Sequence, residues 1–288
     1  MSDVRIGVIG GSGLYAMDGL TVREEKVIDT PFGAPSDAFV IGELEGKPVA
    51  FLPRHGRGHR LLPSELNFRA NLYGMKALGV EWIVSVSAVG SLKEAYEPTH
   101  IVIPDQFFDR TRHRPDTFFG NGLVGHVSFA HPVCGELAAW MAAGSQEAGA
   151  TVHEGGTYVC MEGPMFSTLA ESLDYRRNGF DVIGMTNLQE AKLAREAEMS
   201  YATMAMVTDY DCWHEEEADV SGAAVMEVLQ QNVRTAQEAV RHTIRRIDVS
   251  RESPFRGILE HSLITDPALV PESTLEALAP IVGRYLRR

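Results

Sequence analysis

The sequence is poor in cysteine, in positive charge and in long apolar runs. Three cysteines occur among 288 residues, and Cys134, Cys160 and Cys212 follow no metal-binding spacing. No apolar run reaches the length that a membrane-spanning helix needs. The formal net charge of -13 disfavours nucleic acid or an anionic membrane surface as a partner. These absences predict reduced thiols, no nucleic-acid partner and no membrane partner.

A signal peptide is also not evident at the start of the chain. Residues 1–5 lead directly into a strand-like run, without a basic region followed by an apolar one. The 44% hydrophobic and 23% charged residues are typical of a globular protein with an ample core. We therefore expect a cytoplasmic protein of one large α/β domain or two small ones.

Short β-rich runs alternate with helical patterns along the chain. Strand-like runs cover residues 5–9, 38–44, 48–53, 82–86, 101–103, 157–161, 182–183 and 201–207. Helical patterns cover residues 64–78, 132–148, 167–177, 188–198 and 221–247. In the last of these, apolar residues such as Val225, Leu229 and Val240 recur at helical spacing. The alternation predicts an α/β fold with a central mixed β-sheet flanked by helices.

The last forty residues have a weaker pattern. Residues 249–272 are loop-like, and Ser273 with Glu276 fits a capping box before another helical stretch. Pro280 lies inside that stretch, so we expect the helix to be kinked or to begin late.

Two aspartates stand one residue apart after an apolar, strand-like run. Residues 201–207 are followed by Thr208-Asp209-Tyr210-Asp211-Cys212-Trp213. Ligands of α/β sheets bind at the carboxyl ends of strands, and carboxylates placed there can exchange protons with a heterocycle or sugar. The alternative is a turn whose acids are only solvated.

A glycine-rich segment, Gly11-Ser12-Gly13-Leu14-Tyr15-Ala16, follows the first strand-like run. It matches a dinucleotide-binding pattern, with Asp29 near the place of the ribose acid. That fold needs a crossover helix, but residues 14–28 contain Asp18-Gly19 and leave room for about a turn or two of helix. We favour a loop whose N–H groups and Ser12 hydroxyl face an anion such as phosphate.

A basic loop, Arg54-His55-Gly56-Arg57-Gly58-His59, follows residues 48–53. A guanidinium can hold phosphate oxygens in a bidentate pair, and the imidazole of His55 can add a donor. His55 and His59 are alternatively metal ligands, although the glycines between them disfavour an aligning helix and no third ligand is evident. A solvated basic loop is the other alternative.

Three further turns have side chains suited to a ligand. Ser87-Ala88-Val89-Gly90-Ser91 follows a strand-like run, and Met185-Thr186-Asn187 lies where a helix with its positive dipole end begins. Each alone is a common turn, but with Ser12 and Arg54 they favour one phosphate site. In the third, Glu162-Gly163-Pro164-Met165-Phe166-Ser167, the aromatic ring either stacks on a flat base or belongs to the core. We interpret Cys212 as a buried structural thiol.

Together these motifs resemble 5′-methylthioadenosine phosphorylase, a branch of the trimeric purine nucleoside phosphorylases. The segments that carry the resemblance are Gly10-Gly11-Ser12-Gly13-Leu14, Thr30-Pro31-Phe32-Gly33-Ala34-Pro35-Ser36, Arg54-His55-Gly56, Asn67-Phe68-Arg69-Ala70-Asn71, Glu162-Gly163-Pro164 and Asp209-Tyr210-Asp211-Cys212-Trp213. The resemblance runs from about residue 5 to 247. It implies a single phosphorylase domain over residues 1–248, with residues 249–288 as an extension that packs on the same domain or a neighbouring subunit.

The resemblance also implies a reaction. Inorganic phosphate would attack C1′ of 5′-methylthioadenosine and release adenine and 5-methylthioribose 1-phosphate, without a metal or organic cofactor. The sugar would carry oxocarbenium character in the transition state, and the purine would leave more easily when its N7 is protonated or hydrogen-bonded. A homotrimer with sites at subunit boundaries is the implied assembly.

By motif, the resemblance assigns a role to each candidate residue. Phosphate would be held by Ser12, Arg54, His55, Ser87, Ala88 and Thr186. The nucleoside would contact Met185, Phe166, Ser167, Val225 and, from a neighbouring subunit, His126. Asp209 would be the acid at N7, which requires a raised pKa. Asp209 and Asp211 would also accept a hydrogen bond from the 6-amino group.

Rival activities differ from this one at particular positions. A 6-oxopurine nucleoside phosphorylase would carry Glu and Asn where this chain has Ser167 and Asp209, and a methylthioinosine phosphorylase would lack the Asp-Tyr-Asp pair. A non-catalytic nucleotide-binding protein on the same fold is a further alternative. The chain departs from the family pattern at Gln189, where proline is frequent, and at Gly222, where a larger apolar residue often lines the 5′ pocket. A roomier pocket would admit longer 5′-alkylthio groups or a hydroxyl.

Overall fold

The computed structural model describes residues 4–11, 14, 17–215 and 220–286. Its strands are β1 (Ile6–Gly10), β2 (Thr21–Lys26), β3 (Phe39–Leu44), β4 (Lys47–Pro53), β5 (Trp82–Ser91), β6 (Ile101–Ile103), β7 (Gln106–Arg110), β8 (Val152–Glu154), β9 (Thr157–Met161), β10 (Val182–Gly184) and β11 (Ser200–Asp209). Its α-helices are α1 (Phe68–Ala77), α2 (Gly135–Glu147), α3 (Leu169–Arg177), α4 (Asn187–Glu196), α5 (Gly222–Arg246), α6 (Glu272–Ala277) and α7 (Ala279–Val282).

These strands join in one mixed sheet of eleven strands. The main order is β2-β3-β4-β1-β5-β10-β9-β7, while β11 pairs with β5 and β6, and β8 pairs with β6. β5 and β11 lie side by side in parallel at the centre, and their apolar residues are buried because helices cover both faces. The predicted α/β fold with a central mixed sheet and flanking helices is confirmed.

Helices cover the sheet in two layers. On one face, α2 and α5 approach closely: a Cβ built on Gly144 would lie 2.6 Å from Thr243 Oγ1. On the other face, α1 and α4 pack in a second apolar cluster. The amphipathic helix expected over residues 221–247 is α5, whose first turn is capped by the Ser221 side chain. None of the described helices is both long and apolar enough to cross a membrane.

The chain does not form a dinucleotide-binding crossover after β1. The first strand that follows is β2, which pairs antiparallel with β3, and the β2–β3–β4 meander brings the chain back to pair with β1 in parallel. A strand therefore occupies the stretch where a Rossmann fold needs a helix. This confirms that the glycine-rich segment does not belong to a dinucleotide-binding fold, and it leaves Asp29 without the role of a ribose acid.

The C-terminal residues pack on the same chain, in the apolar cluster that holds α1 and α4. Leu259, Val282 and Leu286 belong to that cluster. Glu198 anchors the segment by accepting hydrogen bonds from two backbone N–H groups and the Tyr285 hydroxyl. The predicted capping box is wrong, because α6 begins at Glu272 after Pro271 and places Ser273 inside the helix. Pro280 lies in the first turn of the separate helix α7, so the stretch is interrupted at Leu278, near the expected kink, and does not begin late.

Candidate active site

The central strand β5 changes partners along one edge, and the change leaves a gap in the sheet. Residues 6–9 of β1 pair with residues 82–85, and Val182 and Ile183 of β10 pair with Ser91 and Gly90. Residues 86–89 therefore have no strand partner on that edge within the described part of the chain. Backbone N–H and C=O groups in such a gap need other partners.

Two chain segments converge on this gap. β1 runs parallel to β5 and ends at Gly10, while β10 runs antiparallel to β5 and ends at Gly184, so their carboxyl ends meet from opposite directions. The Met185–Thr186 turn follows β10 directly, and Thr186 is buried at the start of α4. Ser12, which follows β1, lies outside the described residues. The positive end of the α4 dipole thus points toward the gap.

Ser87 and Ala88 lie in the gap, but not in a turn. The sequence places a loop after Val86, whereas β5 continues to Ser91 with β11 as its partner on the other edge. The expected turn is therefore wrong. Alternate residues of a strand direct their backbone groups to the same edge, so the Ala88 N–H faces the gap along with the Val86 carbonyl.

Arg54 lies beside the gap at the end of β4 and is almost fully buried. Its guanidinium donates to both carboxylate oxygens of Glu190, from Nε at 2.5 Å and from Nη2 at 3.1 Å. It also donates to Val86 O at 2.8 Å and to Ser85 Oγ at 2.6 Å. These bonds occupy four of the five guanidinium N–H donors, and a second N–H on Nη1 stays available for a phosphate oxygen. Two effects act on the pKa of Arg54: burial lowers it, and the ion pair with Glu190 raises it. The ion pair is the stronger effect, so the pKa of Arg54 lies above its ordinary value.

A buried polar network continues from this ion pair to Thr186. The two N–H groups of Asn187 Nδ2 lie within hydrogen-bond distance of Ser85 Oγ, Tyr201 Oη and Thr203 Oγ1. Its Oδ1 accepts from the hydroxyls of Tyr158 and Thr186. Tyr201 donates in turn to Glu190 Oε2 at 2.8 Å. Such a satisfied network holds its members in one arrangement, so Arg54 and Thr186 are fixed relative to each other.

His55 is neutral in this structure. Its Nδ1 lies 2.8 Å from the Leu61 carbonyl, which makes Nδ1 the donor and leaves Nε2 as an acceptor. Burial lowers the pKa of His55 to about 4, and the neighbouring Arg54 charge adds to that effect. The expected donor role of His55 is therefore wrong: Nδ1 is used on the Leu61 carbonyl, and Nε2 of the neutral ring can only accept a hydrogen bond, for example from hydrogen phosphate. The ring stacks on His59 at a centroid distance of 4.2 Å, and the described residues hold no group of three metal-ligating side chains.

Asp209 ends β11 at a bulge opposite Gly90 of β5. Its Oδ2 accepts from Thr208 Oγ1 at 2.7 Å and its Oδ1 from the Asp211 N–H at 2.8 Å. Burial, together with a smaller contribution from the Asp211 charge, raises the pKa of Asp209 to about 6 against these two hydrogen bonds. Burial also raises the pKa of Asp211, opposed by the hydroxyls of Ser172 and Ser167. Asp209 therefore meets the expectation of a raised pKa.

A pocket of about 400 Å³ opens at Cys212, the residue that follows Asp211. It is lined by Phe166, Ser167, Leu169, Cys212 and Val220. Phe166 is 41% exposed, which excludes the core-aromatic alternative and leaves the ring available for stacking. Cys212 is half-buried and lines the pocket, with its Sγ 3.4 Å from the Ser167 carbonyl. Its interpretation as a buried structural thiol is therefore wrong.

The other predicted nucleoside contacts lie at different distances from this pocket. Met185 packs against the turn before Phe166, since a Cβ built on Gly163 would lie 2.5 Å from the Met185 sulfur. Val225 is half-buried in the first turn of α5. His126 is exposed, and its backbone N–H donates to the Ser262 carbonyl, so it does not line the pocket of its own chain.

Sequence reasoning missed the groups that hold the site together, namely Ser85, Arg114, Asn187, Gln189 and Glu190. A buried arginine needs a carboxylate partner. The sequence offers 39 acidic residues, and no spacing rule selects Glu190 across 136 positions. The chemical type of the partner was foreseeable, but its identity was not.

Comparison with known proteins agrees with this geometry. The model of the phosphorylase superfamily matches residues 5–245. The chain belongs to the phosphorylase superfamily. It is 60% identical to S-methyl-5′-thioadenosine phosphorylase of Geobacter sulfurreducens over 98% of this chain and 99% of that protein. The S-methyl-5′-thioadenosine phosphorylase of Chloroflexus aurantiacus is 58% identical over 99% of each chain.

Solved structures are similar over nearly the whole chain. A methylthioadenosine phosphorylase from an antarctic soil metagenomic library superposes with a TM-score of 0.93 at 48% identity, covering 98% of this chain and 99% of that one. Methylthioadenosine phosphorylase from Schistosoma mansoni, in complex with adenine, has a TM-score of 0.85 at 33% identity over 90% and 99% of the two chains. The predicted family is therefore confirmed.

Proposed function

We propose that this enzyme cleaves 5′-methylthioadenosine with inorganic phosphate, giving adenine and 5-methylthioribose 1-phosphate. Its high-identity relatives are pentosyltransferases of this kind. The observation that supports the proposal is the gap in β5 at residues 86–89, which ends one residue before Gly90, the strand position that Asp209 faces. A phosphate and a purine can therefore lie on either side of one ribose.

Phosphate occupies the gap in this proposal. The Ala88 N–H, the available N–H of Arg54 and the start of α4 at Thr186 supply donors, while Ser12 adds a hydroxyl from the loop after β1. Arg54 keeps its charge because Glu190 pairs with it. The neutral His55 accepts from the hydroxyl of hydrogen phosphate through Nε2. Local donors thus capture the anion against a formal net charge of -13.

Asp209 supplies the proton, or a strong hydrogen bond, to N7 of the departing purine. A carboxyl with a pKa of about 6 is protonated in part near neutral pH. Once it has given up the proton, the carboxylate accepts from Thr208 and from the Asp211 N–H, which stabilises the product state. Asp211 accepts from the 6-amino group, Phe166 stacks on the base, Ser167 lines its edge and Met185 lies against the ribose.

The assembly in this proposal is a homotrimer, in which His126 and Val225 complete the methylthio end of a site at a subunit boundary. Its support is the family resemblance, together with exposed apolar side chains beside the pocket: Met165 is 79% exposed and Leu169 is 55% exposed. Such a patch is typical of an interface. Low cysteine content supports a cytoplasmic location, and the donors already named bind phosphate without a metal or organic cofactor.

Release of free base, measured by chromatography, tests the function. The substrates are methylthioadenosine, methylthioinosine, adenosine and inosine, each with and without phosphate. We expect phosphate-dependent adenine release that is fastest from methylthioadenosine. Preference for the inosine pair would refute base reading by the two aspartates, and the lack of any turnover would favour the non-catalytic alternative. Arg54→Ala should raise the KM for phosphate; a change confined to the nucleoside KM would contradict the phosphate site.

A broader 5′ specificity is the second candidate, and Gly222 favours it. A Cβ built on Gly222 meets no described atom within 4 Å, and Gly222 begins α5 two residues after Val220 of the pocket wall. Adenosine, which carries a 5′-hydroxyl, would then also be cleaved. The adenosine arm of the same assay measures this directly.

A further inference from the structure

Two turns form the nucleoside side of the site, and each follows a different strand. The first, residues 161–167, leaves β9 and carries Phe166 and Ser167 into the pocket. The second is the Met185–Thr186 turn after β10. The two turns touch through the Gly163 backbone and the Met185 side chain. Their relative position determines whether one nucleoside can reach its base contacts and its ribose contacts at the same time.

One buried arginine, Arg114, bonds to both turns. Its Nη1 donates to the Met185 carbonyl at 2.6 Å, and its Nη2 donates to the carbonyls of Glu162 and Met161. Its Nε donates to Glu162 Oε1 at 3.2 Å. The Arg114 side chain is 2% exposed, so these bonds form away from water. Each bond from a charged donor of this kind is stronger than one between neutral groups.

The contact extends to the start of α4 through Gln189. Nη1 of Arg114 also donates to Gln189 Oε1 at 3.1 Å, and Gln189 Nε2 donates to Thr111 Oγ1 at 2.8 Å. The Arg112 N–H donates to Glu162 Oε2 at 2.5 Å. Residues 111–114 thus form a strap across the first turn of α4 and the turn after β9. Gln189 is one of the positions where this chain departs from the family pattern, because proline could make neither bond.

We propose that Arg114 is a positioning residue that sets the position of the base-binding turn relative to the ribose-binding turn, acting through the Met161–Glu162 and Met185 carbonyls. The inference rests on the proposed function and concerns its nucleoside side alone. The phosphate contacts have bonds of their own, from Arg54 to Glu190, Ser85 and Val86 and from the Thr186 hydroxyl to Asn187 Oδ1. Arg114 does not touch the substrate, so its effect reaches the reaction through the two turns.

Steady-state kinetics and calorimetry on one set of full-length variants test this assignment. Arg114→Met keeps the length of the side chain and removes every donor, whereas Arg114→Lys keeps the charge with a single donor group. We expect Arg114→Met to raise the methylthioadenosine KM, and its dissociation constant without phosphate, about tenfold or more. The phosphate KM should stay within about twofold. Arg114→Lys should recover part of the loss.

Arg5 offers a matched control at the opposite end of the sheet. Its guanidinium also bonds to two carbonyls, of Val249 and Arg251, and to the Glu81 carboxylate. Arg5→Met removes an equivalent set of bonds before the start of β1, far along the strands from the gap. We expect it to lower stability but to leave both KM values unchanged.

The outcomes separate positioning from folding. A structural role alone would lower the active fraction and therefore kcat, with both KM values unchanged, and that result for Arg114→Met overturns the inference. An equal rise in the phosphate KM overturns it too. If Arg114→Met does not fold, Gln189→Leu decides: a rise in nucleoside KM of about threefold supports positioning, and an unchanged KM refutes it. If the wild-type enzyme binds methylthioadenosine without cleaving it, the proposed function is refuted, but the dissociation constants of the variants still test the role of Arg114. If it neither binds nor cleaves methylthioadenosine, both the proposed function and the role of Arg114 are overturned.

Discussion

The proposed phosphate side and the proposed base side of this site are built in opposite ways. On the phosphate side, Arg54 and Glu190 are both nearly inaccessible, at 3% and 1% side-chain exposure, and their polar atoms are bonded within the chain. On the base side, Phe166 is 41% exposed and Asp209 is bonded to an uncharged hydroxyl and a backbone amide.

The difference follows from what each side must do. Phosphate keeps a negative charge throughout the reaction, so its donors can be fixed in advance. The purine gains a proton as it leaves, so its partner must exist in both protonation states. An ion pair such as Arg54–Glu190 holds charges in place, whereas a carboxyl held by neutral donors keeps a pKa near the working pH. The predictions below test that contrast, from the largest effect to the smallest.

Removing Glu190 should cause the largest loss of stability. Glu190→Ala leaves the Arg54 guanidinium buried without its carboxylate, which we expect to lower the free energy of unfolding by about 3–5 kcal/mol. Urea denaturation measures the change. Glu252→Ala is the matched control, because Arg256 and Glu252 form an exposed pair worth less than about 1 kcal/mol. A loss for Glu190→Ala as small as the control's would show that Arg54 does not depend on a buried partner.

Removing the acid should lower turnover without a comparable loss of stability. Asp209→Ala is expected to reduce kcat by about 100-fold or more, because the purine then leaves without proton donation. Thermal unfolding of the same variant checks that the fold is intact. A kcat close to that of the wild type would refute the role of Asp209.

The pH dependence should report the same group. Since the pKa of Asp209 is raised to about 6, the protonated form is present below that pH and is lost as the pH rises through it. We expect kcat/KM to fall about tenfold per unit well above pH 6, when that form is required. Asp209→Asn has no ionisable group here, so its profile shows the ionisation of phosphate alone. If kcat/KM falls with pH in the same way in the wild type and in Asp209→Asn, a group other than Asp209 is responsible for the pH dependence.

The preference for 6-aminopurines over 6-oxopurines should change when Asp209 is replaced by asparagine. In Asp209→Asn, an amide N–H₂ replaces a carboxylate oxygen and can donate to the O6 of a 6-oxopurine. We expect the preference for adenine over hypoxanthine release to fall about tenfold, because a change of that size corresponds to the free energy of about one hydrogen bond. The ratio is measured with paired methylthioadenosine and methylthioinosine assays. If the ratio stays constant, the base is read by other groups.

The smallest effect should come from the open end of the pocket. Gly222→Val adds an apolar side chain where a Cβ meets open space among the described residues. We expect it to change the preference for methylthioadenosine over adenosine by less than about tenfold, toward the apolar 5′ group. Ala223→Val, one residue further along the exposed helix surface, is the control. Equal effects of both variants would place Gly222 outside the 5′ pocket.

Much of the fold and part of the candidate site could be predicted from the sequence. Alternating apolar runs and helical periodicity gave the α/β class, the long helix α5 and the Ser200–Asp209 strand with its terminal acid. The residues that pointed to chemistry were short motifs at strand ends, where side chains are chosen for a ligand as well as for packing. Ser273 and Glu276 misled because Pro271 starts the helix earlier.

What the sequence by itself determined is therefore the class of fold, the chemical groups available and the acid that ends β11. Only the tertiary structure decided that β10 runs antiparallel to β5, which opens the gap at residues 86–89, and that Glu190 and Arg114 hold the two sides of the site. The physical reason is separation along the chain. Periodicity and capping act over a few residues, whereas strand pairing and buried ion pairs join residues up to 136 positions apart, and many partners of the same chemical type compete for each place.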